Sequence, residues 1–238
     1  MLSIIIPTLN EEKYLPKMLD SVKKQDFSDY EIIIADAGST DKTKEIAESY
    51  GCRIISGGLP ARGRNEGAKA AKGDLLLFSD ADNLLKPGFL KKNIEEMERK
   101  NIKIAATLIE PFEGPKITKW FFNIFYNSIV ILTEKFLAHT AIAIFVYKDI
   151  FEKVNGFDEE IILAEDHDMG RKAAKISKYG VLKSVKILTS ERRFRKDGWL
   201  KTYLKYIYTE FHMIFKGPVK KGGIIEYEFN HYSKKDKR

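Results

Sequence analysis

Three short strand-like runs, Leu2–Ile6, Glu31–Ala35 and Leu75–Phe78, constrain this chain more than anything else in it. Their apolar residues follow one another without polar alternation, which suits strands covered on both faces, as in a parallel sheet. Patterns of helical period lie between them, at Glu11–Lys24, Lys42–Tyr50 and Ala61–Ala71. Ser39-Thr40-Asp41 offers polar caps to the second helix and Gly51 closes it. Repeated strand–helix–strand units call for right-handed crossovers and a twisted, mostly parallel α/β sheet flanked by helices. Ligands of such sheets lie outside the carboxyl ends of the strands, so the residues just after each strand are where chemistry is expected.

The second half is less regular. It predicts strands over Ile102–Ile109, Ala141–Tyr147 and Val181–Leu188. Helices are predicted over Ile117–Glu134, Lys148–Val154, Asp166–Ser177 and Leu200–Phe215, with a loop at Pro111 and Gly114-Pro115. No internal repeat or low-complexity linker is visible. The expected organisation is one compact domain over 1–238: a nucleotide half over 1–110, an acceptor half over 111–215 and a basic tail over 216–238.

A chain of 238 residues, 44% hydrophobic and 32% charged, has the make-up of a globular protein with a proper core. The single cysteine, Cys52, excludes an internal disulfide framework and fits a reducing compartment. Met1-Leu-Ser-Ile-Ile-Ile-Pro7 lacks the basic flank of a signal peptide, and Trp120–Leu132 falls short of the ~18 residues of a spanning helix. The chain is therefore expected in the cytoplasm, touching a membrane at most from the cytoplasmic face. A net charge of +7 is compatible with nucleic acid, anionic lipid or phosphorylated substrates. No aromatic-and-basic sheet motif accompanies it, which disfavours nucleic acid.

The chemistry-bearing segments fall at the predicted strand ends. Asp80-Ala-Asp82 places two carboxylates one residue apart where a buried strand meets a loop. Such oxygen donors suit Mg2+ or Mn2+, and a turn-forming Asp pair is the plainer alternative. Asp36 follows the second strand, where a carboxylate can accept from a base imino group or a ribose hydroxyl. It has no evident protein partner in the sequence. Pro7-Thr8-Leu9-Asn10-Glu11-Glu12 opens the first helix, as ligand contacts or as plain capping. Arg62 and Arg64 are forked donors suited to pyrophosphate, with Gly63 and Gly67 allowing close backbone approach. Glu165, Asp166 and Asp168 crowd the start of a helix, where mutual repulsion makes a general base plausible and dipole stabilisation is the competing explanation. A basic cluster, Thr189-Ser-Glu-Arg-Arg-Phe-Arg195, can clamp a diphosphate or an acceptor phosphate, or be a solvated loop.

Taken in order, several segments resemble the inverting nucleotide-sugar glycosyltransferases of family 2, the superfamily containing dolichyl-phosphate mannose synthases. They are Ser3-Ile-Ile-Ile-Pro-Thr-Leu-Asn-Glu-Glu12, Ile34-Ala-Asp-Ala-Gly-Ser-Thr-Asp41, Arg64-Asn65 with Gly67, Gly73-Asp74, Phe78-Ser-Asp-Ala-Asp82, Gly156-Phe-Asp-Glu159 and Glu165-Asp166. The resemblance implies the GT-A fold. It also implies that Pro7, Thr8, Glu11 and Asp36 bind base and ribose, with Arg62 or Arg64 assisting. Arg192 and Arg193 would join the donor site, Asp80 would sit near ribose or metal, and Asp82 would ligate Mg2+ or Mn2+. Asp166 would be the general base. Two departures stand out: Asn155 where a first glycine is usual, and His167 where tryptophan is commoner.

The acceptor is open at this stage. Trp120–Tyr126 and Tyr203–Phe215 are aromatic and partly basic, which suits an interfacial helix, packing within the core or a homodimer face. A polyprenyl phosphate or glycolipid acceptor follows from the first option. Two other functions compete with transfer. One is a degenerate, non-catalytic binder of nucleotide or anionic lipid. The other is a sugar nucleotidyltransferase, disfavoured because its glycine-rich N-terminal loop is missing.

Overall fold

Leu2, Ile4 and Ile6 face one side of strand β1 (Leu2–Thr8) and Ile5 faces the other, and all four are buried. Strands β2 (Tyr30–Asp36) and β4 (Leu75–Ser79) repeat the arrangement. Ile32, Ile34, Leu75 and Leu77 join a layer with helices α1 (Leu15–Lys23), α2 (Thr43–Ser49) and α4 (Phe89–Lys100). Ile33, Leu76 and Phe78 meet helices α3 (Pro60–Ala70), α7 (Lys148–Lys153) and α8 (Glu165–Ile176) on the opposite face. A strand buried on both sides needs apolar residues at every position, which is why these runs lack alternation. This computed structural model describes residues 1–113 and 116–198, together with 204–205, 208–209, 212–213 and 217–220.

The remaining elements are β3 (Arg53–Ser56), β5 (Asn83–Leu85), β6 (Ile104–Pro111), α5 (Lys116–Phe121), α6 (Ser128–Thr133), β7 (Ala143–Tyr147), β8 (Ile161–Leu163), β9 (Tyr179–Thr189), α9 (Arg192–Asp197) and β10 (Val219–Lys220). The main sheet has the order β3-β2-β1-β4-β7-β6-β9-β5. β1 runs parallel to β2 and β4, β2 to β3, and β6 to β9. β7 is antiparallel to both of its neighbours and β5 is antiparallel to β9. From β1 the chain winds outward through β2 and β3, then returns to β4 on the other side. That reversal is a switch point, and it leaves Thr8, Asp36 and Ser79 at adjacent carboxyl ends.

Several elements escaped the sequence patterns. α4 carries Asn93 and Glu96 on its buried face beside Phe89, Leu90 and Met97, which blurs its apolar period. Both polar residues serve β9: Asn93 exchanges hydrogen bonds with the Val185 backbone at 3.0 and 3.2 Å. Glu96 accepts from the Lys183 and Ser184 amides at 2.9 and 2.8 Å. The single helix expected over Ile117–Glu134 is instead α5, a π-helical segment (Phe122–Asn127) and α6. The wider turn aims Asn127 at β6, where its side chain pairs with both backbone groups of Ile109 at 3.0 and 2.8 Å. Asn155 and Gly156 are successive left-handed residues, with φ of 60° and 65°. Asparagine is among the few side chains that tolerate this region, so the turn survives the departure from glycine. Gly114-Pro115 and most of the expected helix Leu200–Phe215 lie outside the described residues, as does 221–238 of the tail; within that helix 204–205, 208–209 and 212–213 are described and are helical.

Candidate active site

The loops after β1 and β2 are laced together before any ligand is considered. Asn10, with φ 56°, accepts from the Thr40 amide at 2.9 Å, while its own amide donates to Ser39 Oγ at 2.9 Å. The Glu11 amide donates to Thr43 Oγ1 at 2.8 Å. Asp36 is buried here, and the expectation that it lacks protein partners is corrected. Its carboxylate accepts from Thr8 Oγ1 at 3.1 Å, from the amides of Gly38 and Ser39 at 3.0 and 2.8 Å, and from the Ser39 hydroxyl. A carboxylate held by four donors is fixed in direction, a suitable state for one that must read a ligand edge. Pro7 packs beneath the first turn of α3, against the space beside Gly63.

Gly67 was expected to let the backbone approach a ligand. A Cβ there would lie 2.3 Å from Ile5 Cγ2, so the close approach is between α3 and β1. That packing drives the start of α3 into the site. Arg64 is 8% exposed and its guanidinium joins two motifs far apart in sequence. Nη1 donates to Glu165 Oε1 at 2.6 Å and Nη2 to Asp80 Oδ1 at 3.0 Å, with the Phe157 ring 5.4 Å away. Burial works against the charge, but Asp80, Glu165 and Asp166 outweigh it and hold Arg64 firmly protonated. Arg62, by contrast, is exposed. Of the two arginines, Arg62 presents its side chain outward, while Arg64 faces protein carboxylates.

α8 begins after Ala164, which has φ 63°, and carries Glu165, Asp166 and Asp168 in its first turn. Acidic groups are favoured there by the helix dipole. Burial nonetheless pushes the Asp166 carboxyl up to about 6, Glu165 adding to the rise while His167 and Arg64 oppose it. Asp166 Oδ1 accepts from the His167 amide at 2.8 Å, and the Thr140 hydroxyl donates to the Asp166 carbonyl. A Cβ at Gly170 would meet Thr140 Oγ1 at 2.0 Å, so glycine is what lets Thr140 sit against the helix. The His167 and His139 rings pack edge to face, 5.4 Å apart. Nothing in the sequence pattern singled out Thr140 or His139. Asn65 also went unassigned, although it lies beside Arg64 in the motif. Its side chain exchanges hydrogen bonds with the Phe157 backbone at 2.9 Å each way and donates to Glu159 at 3.0 Å.

On the other flank of the cleft, α9 delivers Arg192, where a basic loop was expected. Nη1 and Nη2 donate to the two Glu11 carboxylate oxygens at 2.9 and 2.7 Å, and Nε lies 2.8 Å from Asp82 Oδ2. The guanidinium sits over the Tyr14 ring, 4.7 Å from its centroid. Burial opposes its charge, but Asp82 and Glu11 more than compensate and keep it protonated. The backbone of Arg193 belongs to α9, while its side chain lies outside the described residues.

Asp80 and Asp82 supply hard oxygen donors from one loop, the right chemistry for Mg2+ or Mn2+. Among the described residues no group of three or more His, Cys, Asp or Glu side chains is arranged to hold a metal. A cation here would therefore complete its shell with substrate oxygens and water, as Mg2+ commonly does. In type and number the pair fits such an ion.

The sheet end with Thr8 and Asp36 thus has a carboxylate pair beside it, of which Asp80 is joined to Glu165 through Arg64, and comparison with known proteins shows the class of the chain. The glycosyl transferase family 2 model matches residues 3–154, and the chain belongs to that family. EpsJ of Bacillus subtilis, described as an uncharacterized glycosyltransferase, is 31% identical over 70% of this chain and 54% of its own length. TarS of Staphylococcus aureus, a poly(ribitol-phosphate) beta-N-acetylglucosaminyltransferase, is 28% identical over 72% of this chain and 32% of its own. The chain thus spans about a third to three-fifths of the length of curated relatives such as these. The mannosyltransferase PcManGT from Pyrobaculum calidifontis, solved with GDP-Man and Mn2+, shares the GT-A fold at TM-score 0.68 and 18% identity, covering 87% of this chain and 64% of that one.

Proposed function

We propose that this chain transfers a sugar, with inversion, from a UDP- or GDP-linked donor to an acceptor oxygen. One observation carries the reading: a single buried guanidinium, Arg64, is bonded both to Asp80 and to Glu165, the neighbour of Asp166. Arg64 thereby ties the loop after β4 to the start of α8, which supports the reading that Asp80, Asp82 and Asp166 work in one cleft. Asp36, Thr8 and Pro7 bind the base and ribose, with Arg62 at the rim. A divalent cation at Asp80 and Asp82, when bound, offsets charge on the diphosphate. Asp166 takes the proton from an acceptor hydroxyl. The acceptor oxygen then attacks the anomeric carbon from the face opposite the diphosphate, which leaves with the electrons of the broken C–O bond. TarS solved with UDP-GlcNAc and PcManGT with GDP-Man and Mn2+ lend support from relatives and neighbours. The test is calorimetric titration of the purified chain with UDP- and GDP-sugars, with and without Mn2+. Binding of one donor class that strengthens with Mn2+ is expected. No binding of any donor under either condition sinks the proposal.

For the acceptor, the exposed apolar residues along 120–136 (the ridge), from α5 through the π-helical segment and α6 to the turn after it, favour a lipid-linked molecule. Trp120, Leu132 and Phe136 are 56%, 76% and 88% exposed, Ile124 and Ile129 flank them, and Lys135 is exposed alongside. Apolar residues with an aromatic and a lysine at one surface are the make-up of a headgroup-level contact. Among the described residues no helix is long and apolar enough to cross a membrane. The ridge ends three residues before His139 and Thr140, which lie against α8. Co-sedimentation should show binding to phosphatidylglycerol-rich vesicles, greatly reduced in the Leu132→Ser/Phe136→Ser double variant. Failure to bind vesicles, or a stable dimer broken by the same double variant, would assign the ridge to protein contact instead.

A further inference from the structure

We infer that Arg192 is a tethered cation that competes with the divalent metal for Asp82, so the chain itself sets its metal affinity before a donor arrives. The inference rests on the reading of Asp80 and Asp82 as a cation site. Arg192 grips carboxylates from two loops at once, both oxygens of Glu11 through Nη1 and Nη2 and Asp82 Oδ2 through Nε at 2.8 Å. The planar fork matches Glu11 bidentately, and the Tyr14 ring 4.7 Å away supports its face. A divalent ion approaches a carboxylate oxygen to about 2.0–2.1 Å for Mg2+ and draws on the same carboxylate charge that Nε already offsets. Two positive charges on one carboxylate also repel each other. Metal entry at Asp82 must therefore weaken the Nε contact or be weakened by it.

A diphosphate resolves the conflict. Its oxygens are preferred partners of a guanidinium, so Arg192 can leave Asp82 for phosphate as the ion settles. Nucleotide then strengthens metal binding beyond the direct metal–phosphate contact, and by linkage metal strengthens nucleotide binding by the same factor. Arg192 thus keeps Asp82 neutralised while no donor is bound, as Arg64 does Asp80, and joins the leaving group once the donor arrives. No covalent step is involved.

Titration of the full chain with Mn2+, read by the electron paramagnetic resonance of the free ion, tests this with and without UDP or GDP. Without nucleotide, Arg192→Gln is expected to bind Mn2+ about tenfold more tightly than wild type, a typical size for coupling between two ligands. Nucleotide should then improve the variant less than the wild type. Arg192→Lys, which keeps the charge but cannot fork, is expected to fall between them. Adding Asp82→Asn to Arg192→Gln should erase the gain. Thermal unfolding establishes that each variant is folded, and the lysine variant alone carries the test if the glutamine variant is not. Equal nucleotide-free affinity in wild type and variants, or equal enhancement by nucleotide, overturns the inference and leaves the cation site standing. No Mn2+ binding by wild type or variants, with either nucleotide, removes the cation site and the inference together.

Discussion

Asp166→Asn is expected to lower transfer to a hydroxyl acceptor by about 10²–10⁴-fold, the usual contribution of a positioned general base. Donor affinity should stay within about twofold, since asparagine keeps the size of the side chain and the donor contacts lie on other strands. A matching loss of donor binding would show that the residue shapes the nucleotide site instead. Wild-type kcat/KM should fall as the pH drops through about 6, where the Asp166 carboxyl takes up its proton, and reach a plateau above it. The stability effect has the opposite sense. The carboxyl sits at about 6 in the folded chain against an ordinary 3.8, so ionised Asp166 destabilises the fold above about 6, and the penalty vanishes below about 3.8. Asp166→Asn should therefore raise the melting temperature at neutral pH, with the gain fading in acid. An unchanged rate with a hydroxyl acceptor would end the assignment. A phosphate acceptor needs no base, being ionised already, so activity of the variant on a polyprenyl phosphate alone would identify that acceptor class.

Arg64→Met should be the most damaging substitution for the fold among the site residues. Removing one partner of a buried ion pair leaves the other charge unsatisfied, at a cost of about 3–5 kcal/mol. Here the Asp80 side chain is 40% exposed and water screens it, while that of Glu165 is only 13% exposed. The expected loss is therefore nearer 2–3 kcal/mol, roughly 5–10 °C in melting temperature for a chain of this size. Urea denaturation checks the figure. The kinetic signature separates this role from a donor contact. Arg64 acts through Glu165 and Asp80, so kcat should fall while nucleotide affinity holds, and Arg64→Lys should recover part of the stability. A stable variant whose only defect is weak nucleotide binding would return Arg64 to the donor.

The nucleotide side of the fold was legible because burial on both faces of β1, β2 and β4 writes itself as unbroken apolar runs. Short strands were not. β3 is four residues with exposed ends and β5 is three residues, too few to establish a period. α4 was hidden by its buried Asn93 and Glu96, whose polarity is explained only by the backbone of β9 beside them. Asp36 and Asp80 do stand where β2 and β4 stop, since topology fixes where such ends gather. Partnerships were invisible: nothing local announces that Arg64 reaches Glu165, 101 residues on, or that Arg192 reaches Glu11, 181 residues back. Sequence distance carries no information about which of several candidate cations a carboxylate will meet. Asp36 misled for a different reason: three of its four donors come from its own turn, at Gly38 and Ser39, and only Thr8 reaches it from the neighbouring strand.

Asn65 has a consequence for motion. Its amide grips the Phe157 main chain from both directions and touches Glu159 as well, so α3 and the turn leading into α8 are riveted together. With β4 laddered to β7 in the same sheet, the two flanks of the crevice cannot swing apart like the covers of a book. The flank at α9 is held to the first and fourth strand ends by a side chain, Arg192 resting on Glu11 and Asp82.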